Sequence, residues 1–260
     1  MFAKALAPRA CGCYVSPMPE RMRADRLLVE RGLFESRTRA QAAIAAGLVT
    51  ADGAPVTMPS DEIAADAVLR AAPAHPWASR GGVKLAAALD HFRFDPAGRV
   101  CLDVGASAGG FTDVLLARGA RRVYAVDVGH GQLDARLAAR PEVVSLEATD
   151  IRRVTPAMLG EPPEVAVVDV SFISLKLVLP AALALVRPPA WLVALIKPQF
   201  EAGRRQVKKG IVRDPQIHAA VCADIAGFVA ALGWNVAGIL PSPIAGADGN
   251  HEFLMGARSD

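Results

Sequence analysis

Residues 101–116 read CLDVGASAGGFTDVLL. An apolar run ends on the carboxylate of Asp103, Gly105, Gly109 and Gly110 fall within the next few positions, and apolar residues then resume at helical spacing. A strand that passes through bare backbone into a helix is the opening unit of a doubly wound sheet, in which ligands bind beyond the carboxyl ends of the strands. The glycines follow G-x-x-x-G-G, not the dinucleotide fingerprint G-x-G-x-x-G. A nicotinamide cofactor lays a pyrophosphate on the helix N-terminus, whereas S-adenosylmethionine has no phosphate and presents an ammonium, a carboxylate and a cationic sulfonium. Asp103 suits that positive charge.

From this stretch onward the chain alternates short β-rich runs with helical patterns: VCLDV, RVYAVDV, EVVSL, EVAVVDV, WLVALI, NVAGILP and HEFLMG. The pattern predicts an α/β fold with a mostly parallel sheet covered on both faces. The last two runs lack an intervening helix and are expected to pair antiparallel at the sheet edge, giving seven strands, six parallel and one reversed. Asp127 ends the second run, where a carboxylate can accept from both ribose hydroxyls, and Asp150 follows the third, toward an adenine. Any one of these acids alone is as well explained as a helix cap. Three at successive strand ends beside a glycine turn point to a ligand. The expected cofactor-binding set is Asp103, Gly105, Ser107, Gly109, Gly110, Phe111, Asp127, Asp150 and Asp169.

Upstream, residues 24–56 read ADRLLVERGLFESRTRAQAAIAAGLVTADGAPV, which predicts two short helices joined at Gly32 to Ser36, with Ser36 as the second N-cap. Gly47 ends that helix, and a hairpin turns at Asp52-Gly53. The domains expected are an extension over 1–20 without fixed structure, a small α+β domain over 21–70, a linker over 71–78 and the α/β domain over 79–258. The whole chain has 260 residues, 52% hydrophobic, and a net charge of only +3, so the distribution of charge matters more than its sum. Arg21, Arg23, Arg26, Arg31, Arg37 and Arg39 form one basic cluster; Arg204, Arg205, Lys208, Lys209 and Arg213 form another. No apolar run is long enough to span a bilayer, and no secretory h-region follows Lys4 and Arg9, so a cytoplasmic protein is expected. Cys101 and Cys222 lie in apolar runs and read as reduced thiols, and Cys11 and Cys13 lack a second ligand pair for zinc.

Two further strand ends carry ionisable residues, Asp169 in VVDVSFISL and Lys197 in VALIKPQFE. Lys197 closes an apolar strand, where desolvation or a second cation favours the neutral amine of a general base. Lys84 opens the helix before the first strand and Glu252 sits in the last one, so the winding lets all four groups converge over the sulfonium.

Together RADRLLVERGLFESRTRAQAAIAAGLV, SRGGVKL, CLDVGASAGGFTDVLL, VDVSFISL, IKPQFE and KKGIVRDP resemble the TlyA (haemolysin A) family of ribosomal-RNA ribose 2′-O-methyltransferases, from Arg21 to Met255. The resemblance implies an S4-type RNA-binding domain followed by a Rossmann-like class I methyltransferase domain similar to FtsJ. It implies S-adenosylmethionine as cofactor and a K-D-K-E tetrad on Lys84, Asp169, Lys197 and Glu252. Lys197 would take the hydroxyl proton, Asp169 orient it, Lys84 stabilise the alkoxide and Glu252 fix the lysines. The first arginine cluster, Arg80 and the basic loop with Arg204, Arg205, Lys208 and Lys209 would hold ribosomal RNA or a ribosomal subunit. Neither a membrane nor a metal is expected, and monomer and homodimer both stay open.

The chain departs from the family's R-x-W-V linker with His75-Pro76-Trp77-Ala78, so coupling through that arginine is not expected. The short stretch after the last strand resembles the family type acting on cytidine of large-subunit RNA alone. Rival readings are a base-nitrogen acceptor, for which no N-P-P-Y-like motif exists, a membrane-active haemolysin, for which no inserting segment exists, an RNA-binding module with an inactive cofactor domain, and a dehydrogenase.

Overall fold

A computed structural model describes residues 20–203, 205–246 and 249–260. The expected N-terminal extension up to residue 19, with Cys11 and Cys13, and Arg204 lie outside the described residues. The chain divides into two compact units, Met1–Pro76 and Trp77–Asp260.

In the first unit, β1 (Arg21–Arg23) leads into α1 (Ala24–Glu30) and α2 (Arg37–Ala45). Ser36 is the N-cap of α2, its side chain accepting from Arg39 N. β2 (Val49–Ala51) turns through Asp52 and Gly53, both at positive φ, into β3 (Ala54–Pro55) and also pairs with β5 (Leu69–Ala71); β4 (Glu62–Ala64) pairs with β1. Leu28, Phe34, Ala40, Ala43, Ile44 and Val49 fill the small core.

The second unit opens with Trp77, against which Gly82 packs so closely that an added Cβ would stand 2.4 Å from the indole. Its helices are α3 (Gly81–Phe92), α4 (Gly110–Ala117), α5 (Ala135–Ala138), α6 (Leu175–Ala184), α7 (Pro198–Glu201) and α8 (Pro215–Ala231). The strands are β6 (Val100–Val104), β7 (Arg122–Val126), β8 (Val143–Leu146), β9 (Val165–Val168), β10 (Ala190–Ile196), β11 (Asn235–Pro241) and β12 (Phe253–Ser259). They form one seven-stranded sheet in the order β11-β12-β10-β9-β6-β7-β8. Only β12 runs reversed, antiparallel to both β10 and β11, so the antiparallel pair lies at the edge with the reversed strand inside it.

Every residue of β6, β9 and β10 is buried, as strands covered on both faces must be. Alternation then sorts side chains between two cores. Cys101, Val123, Val165, Val167, Val193 and Leu195 meet Leu85, Leu89, Phe111 and Leu115 of α3 and α4. Leu102, Val104, Ala166, Val168, Leu192 and Ala194 meet Leu179, Leu183, Ile225 and Val229 of α6 and α8. Each fully buried leucine contributes about 1.5–3 kcal/mol. The links around β8 are short: α5 has four residues, and two 3-10 turns, Ile151–Arg153 and Pro156–Met158, lead to β9. Pro156, Pro162 and Pro163 interrupt any helix there.

Candidate active site

The carboxyl ends of β6, β7 and β9 open into a cavity of about 450 Å3, within the range of small-molecule sites. Gly105, Ser107, Asp127, Asp150, Asp169 and Ser171 are among its lining residues. Gly105 stands at φ +85°, and a Cβ there would lie 2.4 Å from the carbonyl oxygen of Asp169. The glycine therefore lets the ends of β6 and β9 meet. Gly109 (φ +89°) is the N-cap of α4 and faces Leu133 and Leu137, while Gly110 packs on Ser79 and Gly82. These two and Phe111, which is buried in the core, do not line the cavity.

Asp103 lies fully buried beneath the turn. Oδ2 accepts from Thr112 Oγ1 at 2.7 Å, and Oδ1 has no hydrogen-bond partner. Burial pushes this carboxyl up to about 7, against the hydrogen bonds from Thr112 that pull it down. Asp127 is at the cavity wall: Oδ2 accepts from Ser107 N at 2.8 Å and Oδ1 from Gly129 N at 2.7 Å, and each oxygen keeps a lone pair. Asp150 also lines the cavity, but it caps the turn at Ile151 and pairs with Arg152 at 2.5 Å. That guanidinium holds its carboxyl down at about 2.

The four tetrad positions form two pairs. Lys84, at 8% exposure, donates to Glu252, at 4%, over 2.5 Å, joining α3 to the residue that precedes β12. Lys197, which follows β10, places Nζ 2.6 Å from Asp169 Oδ1 and donates to Ser171 Oγ at 2.8 Å. The contact with Asp169 is ionic without hydrogen-bond alignment, since Oδ1 has no hydrogen-bond partner. The first turn of α3 adjoins the second pair: a Cβ on Gly81 would lie 3.6 Å from Asp169 Oδ2.

Two residues of this region escaped the sequence reading. Ser171 looks like an ordinary hydroxyl in VDVSFISL, and its partner lies 26 positions away. Phe172 lies in the same apolar run, yet it is 91% exposed, stands at φ +65° and leans on Phe200 with ring centroids 5.1 Å apart. A bulky side chain in that conformation costs on the order of 1–3 kcal/mol.

The arginines of the first unit are braced by acceptors. Arg23 and Arg37 both hold Asp25, which is inaccessible to solvent, and Arg23 above all keeps its carboxyl far below the usual range. Arg26 pairs with Glu30 and Arg39 with Glu35, while Arg21 and Arg31 donate to the carbonyls of Glu62 and Ala65. Arg26 and Arg37 nonetheless stay 65% and 57% exposed. In the second unit, Arg80, Arg205, Lys208 and Lys209 are exposed. Lys208 and Ile211 close a tight turn through Lys209 and Gly210 at positive φ, and Asn250 Nδ2 donates to Gly210 O. Among the described residues no helix is long and apolar enough to cross a membrane, and no group of three or more His, Cys, Asp or Glu side chains is placed to hold a metal ion.

Residues 77–259 match the FtsJ-like methyltransferase family and residues 22–69 the S4 domain. The 16S/23S rRNA (cytidine-2′-O)-methyltransferase TlyA of Mycobacterium tuberculosis is 44% identical over 93% of this chain and 91% of its own. Hemolysin A of Brachyspira hyodysenteriae is 39% identical over 90% of this chain and 98% of its own. A solved Streptococcus thermophilus protein that carries a hemolysin label is 41% identical with a TM-score of 0.74, covering 94% of this chain and 90% of that one. The glycine turn, the paired lysines and carboxylates and these matches lead to one assignment: the chain is a methyltransferase of the FtsJ-like family, in the TlyA group that carries an S4 domain.

Proposed function

We propose that this enzyme transfers a methyl group from S-adenosylmethionine to a ribose 2′-hydroxyl of cytidine in ribosomal RNA, in the cytoplasm, with large-subunit RNA as the substrate. The observation that carries the reading is the Lys197–Asp169 pair, whose carboxylate lines the wall of the cavity at the glycine turn. The cavity wall carries the carboxylates of Asp127, Asp150 and Asp169 against the guanidinium of Arg152, an excess of negative charge that suits a cationic ligand. The donor supplies a methyl on a sulfonium; transfer leaves the electron pair of the broken carbon–sulfur bond on sulfur and releases the hydroxyl proton of the acceptor.

The chain's own residues have the remaining work. Asp127 holds the ribose end of the donor, and Asp169 faces its positive charge. Lys197, once the ion pair with Asp169 has shed a proton to solvent and left the free amine, takes the hydroxyl proton at Nζ while the oxygen–carbon bond forms. Lys84 stabilises negative charge on the acceptor oxygen, and Glu252 holds Lys84 in place. The exposed ring of Phe172 offers a flat face to an unstacked base, and Arg26, Arg37, Arg80, Arg205, Lys208 and Lys209 supply charge for the phosphates, together with Arg21, Arg23, Arg31 and Arg39.

The test incubates the enzyme with labelled donor and each isolated ribosomal subunit, then maps ribose methylation by primer extension at limiting deoxynucleotides. A stop at a cytidine of the large subunit is expected. Label on a base, or in neither subunit, overturns the reading.

A further inference from the structure

We infer that Ser171 is a positioning residue for Lys197, fixing the direction in which the amine meets the acceptor hydroxyl; this rests on the proposed role of Lys197 as base. Lys197 Nζ touches two groups of one short segment, Asp169 Oδ1 at 2.6 Å and Ser171 Oγ at 2.8 Å. The carboxylate attracts without aligning, because Oδ1 forms no hydrogen bond. Ser171 supplies the aligned contact, so the serine decides where the remaining valences of Nζ point.

The backbone is shaped to hold that contact. Phe172, directly after Ser171, takes a left-handed conformation at φ +65°, which turns the chain at the cavity wall. Two residues farther on, Ser174 donates from Oγ to Glu201 Oε2 at 2.5 Å, and Leu175 N donates to Oε1 at 2.7 Å. Glu201 belongs to α7, which begins at the residue after Lys197. The segment carrying Ser171 and the segment carrying Lys197 are thus joined twice, on either side of the strained residue. Ser171 itself is exposed and contributes nothing to a core, so its replacement leaves the fold intact.

A base displaced by about an ångström costs on the order of 100-fold in rate. Ser171→Ala is therefore expected to lower kcat by about 10–100-fold, with KM for RNA and affinity for S-adenosylmethionine by calorimetry within about 2-fold of the parent enzyme. Ser171→Thr, which keeps the hydroxyl, restores kcat. An unchanged kcat in Ser171→Ala overturns the inference, as does a loss confined to donor affinity, which would make the serine a cofactor contact. Failure of Thr to restore the rate overturns it too. Lys197→Ala is measured alongside: wild-type turnover in that variant removes the general-base reading itself, whereas an inactive Lys197→Ala beside a fully active Ser171→Ala removes only the role of the serine.

Discussion

Gly105→Ala and Gly233→Ala form a matched pair that separates backbone strain from steric conflict. Gly105 stands at φ +85° and Gly233, between α8 and β11, at φ +86°. Nothing lies within 4 Å of a Cβ on Gly233, whereas a Cβ on Gly105 would meet the Asp169 carbonyl oxygen at 2.4 Å and its carbon at 2.8 Å. Alanine at positive φ costs about 1–2 kcal/mol, offset by about 0.4–1 kcal/mol from the stiffer unfolded chain. Gly233→Ala should accordingly lose about 1 kcal/mol. Real Cβ contacts stay above 3.0 Å, so at Gly105 the end of β9 must also retreat by at least about 0.6 Å. Overpacking of this kind adds about 1–3 kcal/mol. The retreat strains the bond from Asp169 N to Val104 O, 2.9 Å long, and shifts Asp169 relative to Lys197, so methyl transfer should fall about 100-fold. Urea unfolding followed by tryptophan emission reports the second unit alone, because Trp77, Trp191 and Trp234 all belong to it. Equal losses of stability in the two variants, or wild-type turnover in Gly105→Ala, would show that the Asp169 carbonyl does not limit the space at Gly105.

Asp103 gives a pH dependence whose sign is fixed by its carboxyl, which burial pushes up to about 7, above its unfolded value. The folded chain keeps a proton that the unfolded chain releases, so stability is greatest below the unfolded pKa and falls as pH rises to about 7, by up to about 4 kcal/mol. Asp103→Asn should flatten the unfolding free energy between about pH 4 and 7; a slope unchanged from the parent contradicts it. Lys84→Met leaves Glu252 buried and unpaired and should cost about 3–5 kcal/mol, with the Lys84→Met/Glu252→Leu double variant recovering part of it; additive losses in the cycle would count against the pair. Alanine at Arg205, Lys208 and Lys209 should reduce the slope of log K for RNA against log salt by about 2–3, and filter binding at several salt concentrations measures it directly.

The architecture was legible because it rests on local signals. Apolar runs punctuated by helices, the bare backbone after Asp103 and the Ser36 cap each state their structure within a few residues. What stayed hidden is set by partners distant in the chain. β6 is buried on both faces, so alternation says nothing about whether Asp103 faces ligand or core, and the structure turns it beneath the glycine turn onto Thr112. Asp150 shows the same limit, with cap, ion pair and cavity wall sharing one carboxylate. The place of β12 between β10 and β11 depends on a pairing across the sheet, and neither neighbour announces it in sequence. The exposure of Phe172 and the bond of Ser171 follow from one left-handed residue that an apolar run does not betray.

That inserted last strand has a consequence for synthesis. Before residues 252–259 leave the ribosome, β11 has nothing to pair with, β10 lacks its second neighbour along seven residues, and Lys84 waits without its counter-charge. The nascent enzyme thus stays incompetent until that segment slots between two strands already made. Deleting residues 252–259 should disarm the catalyst as thoroughly as deleting its lysines.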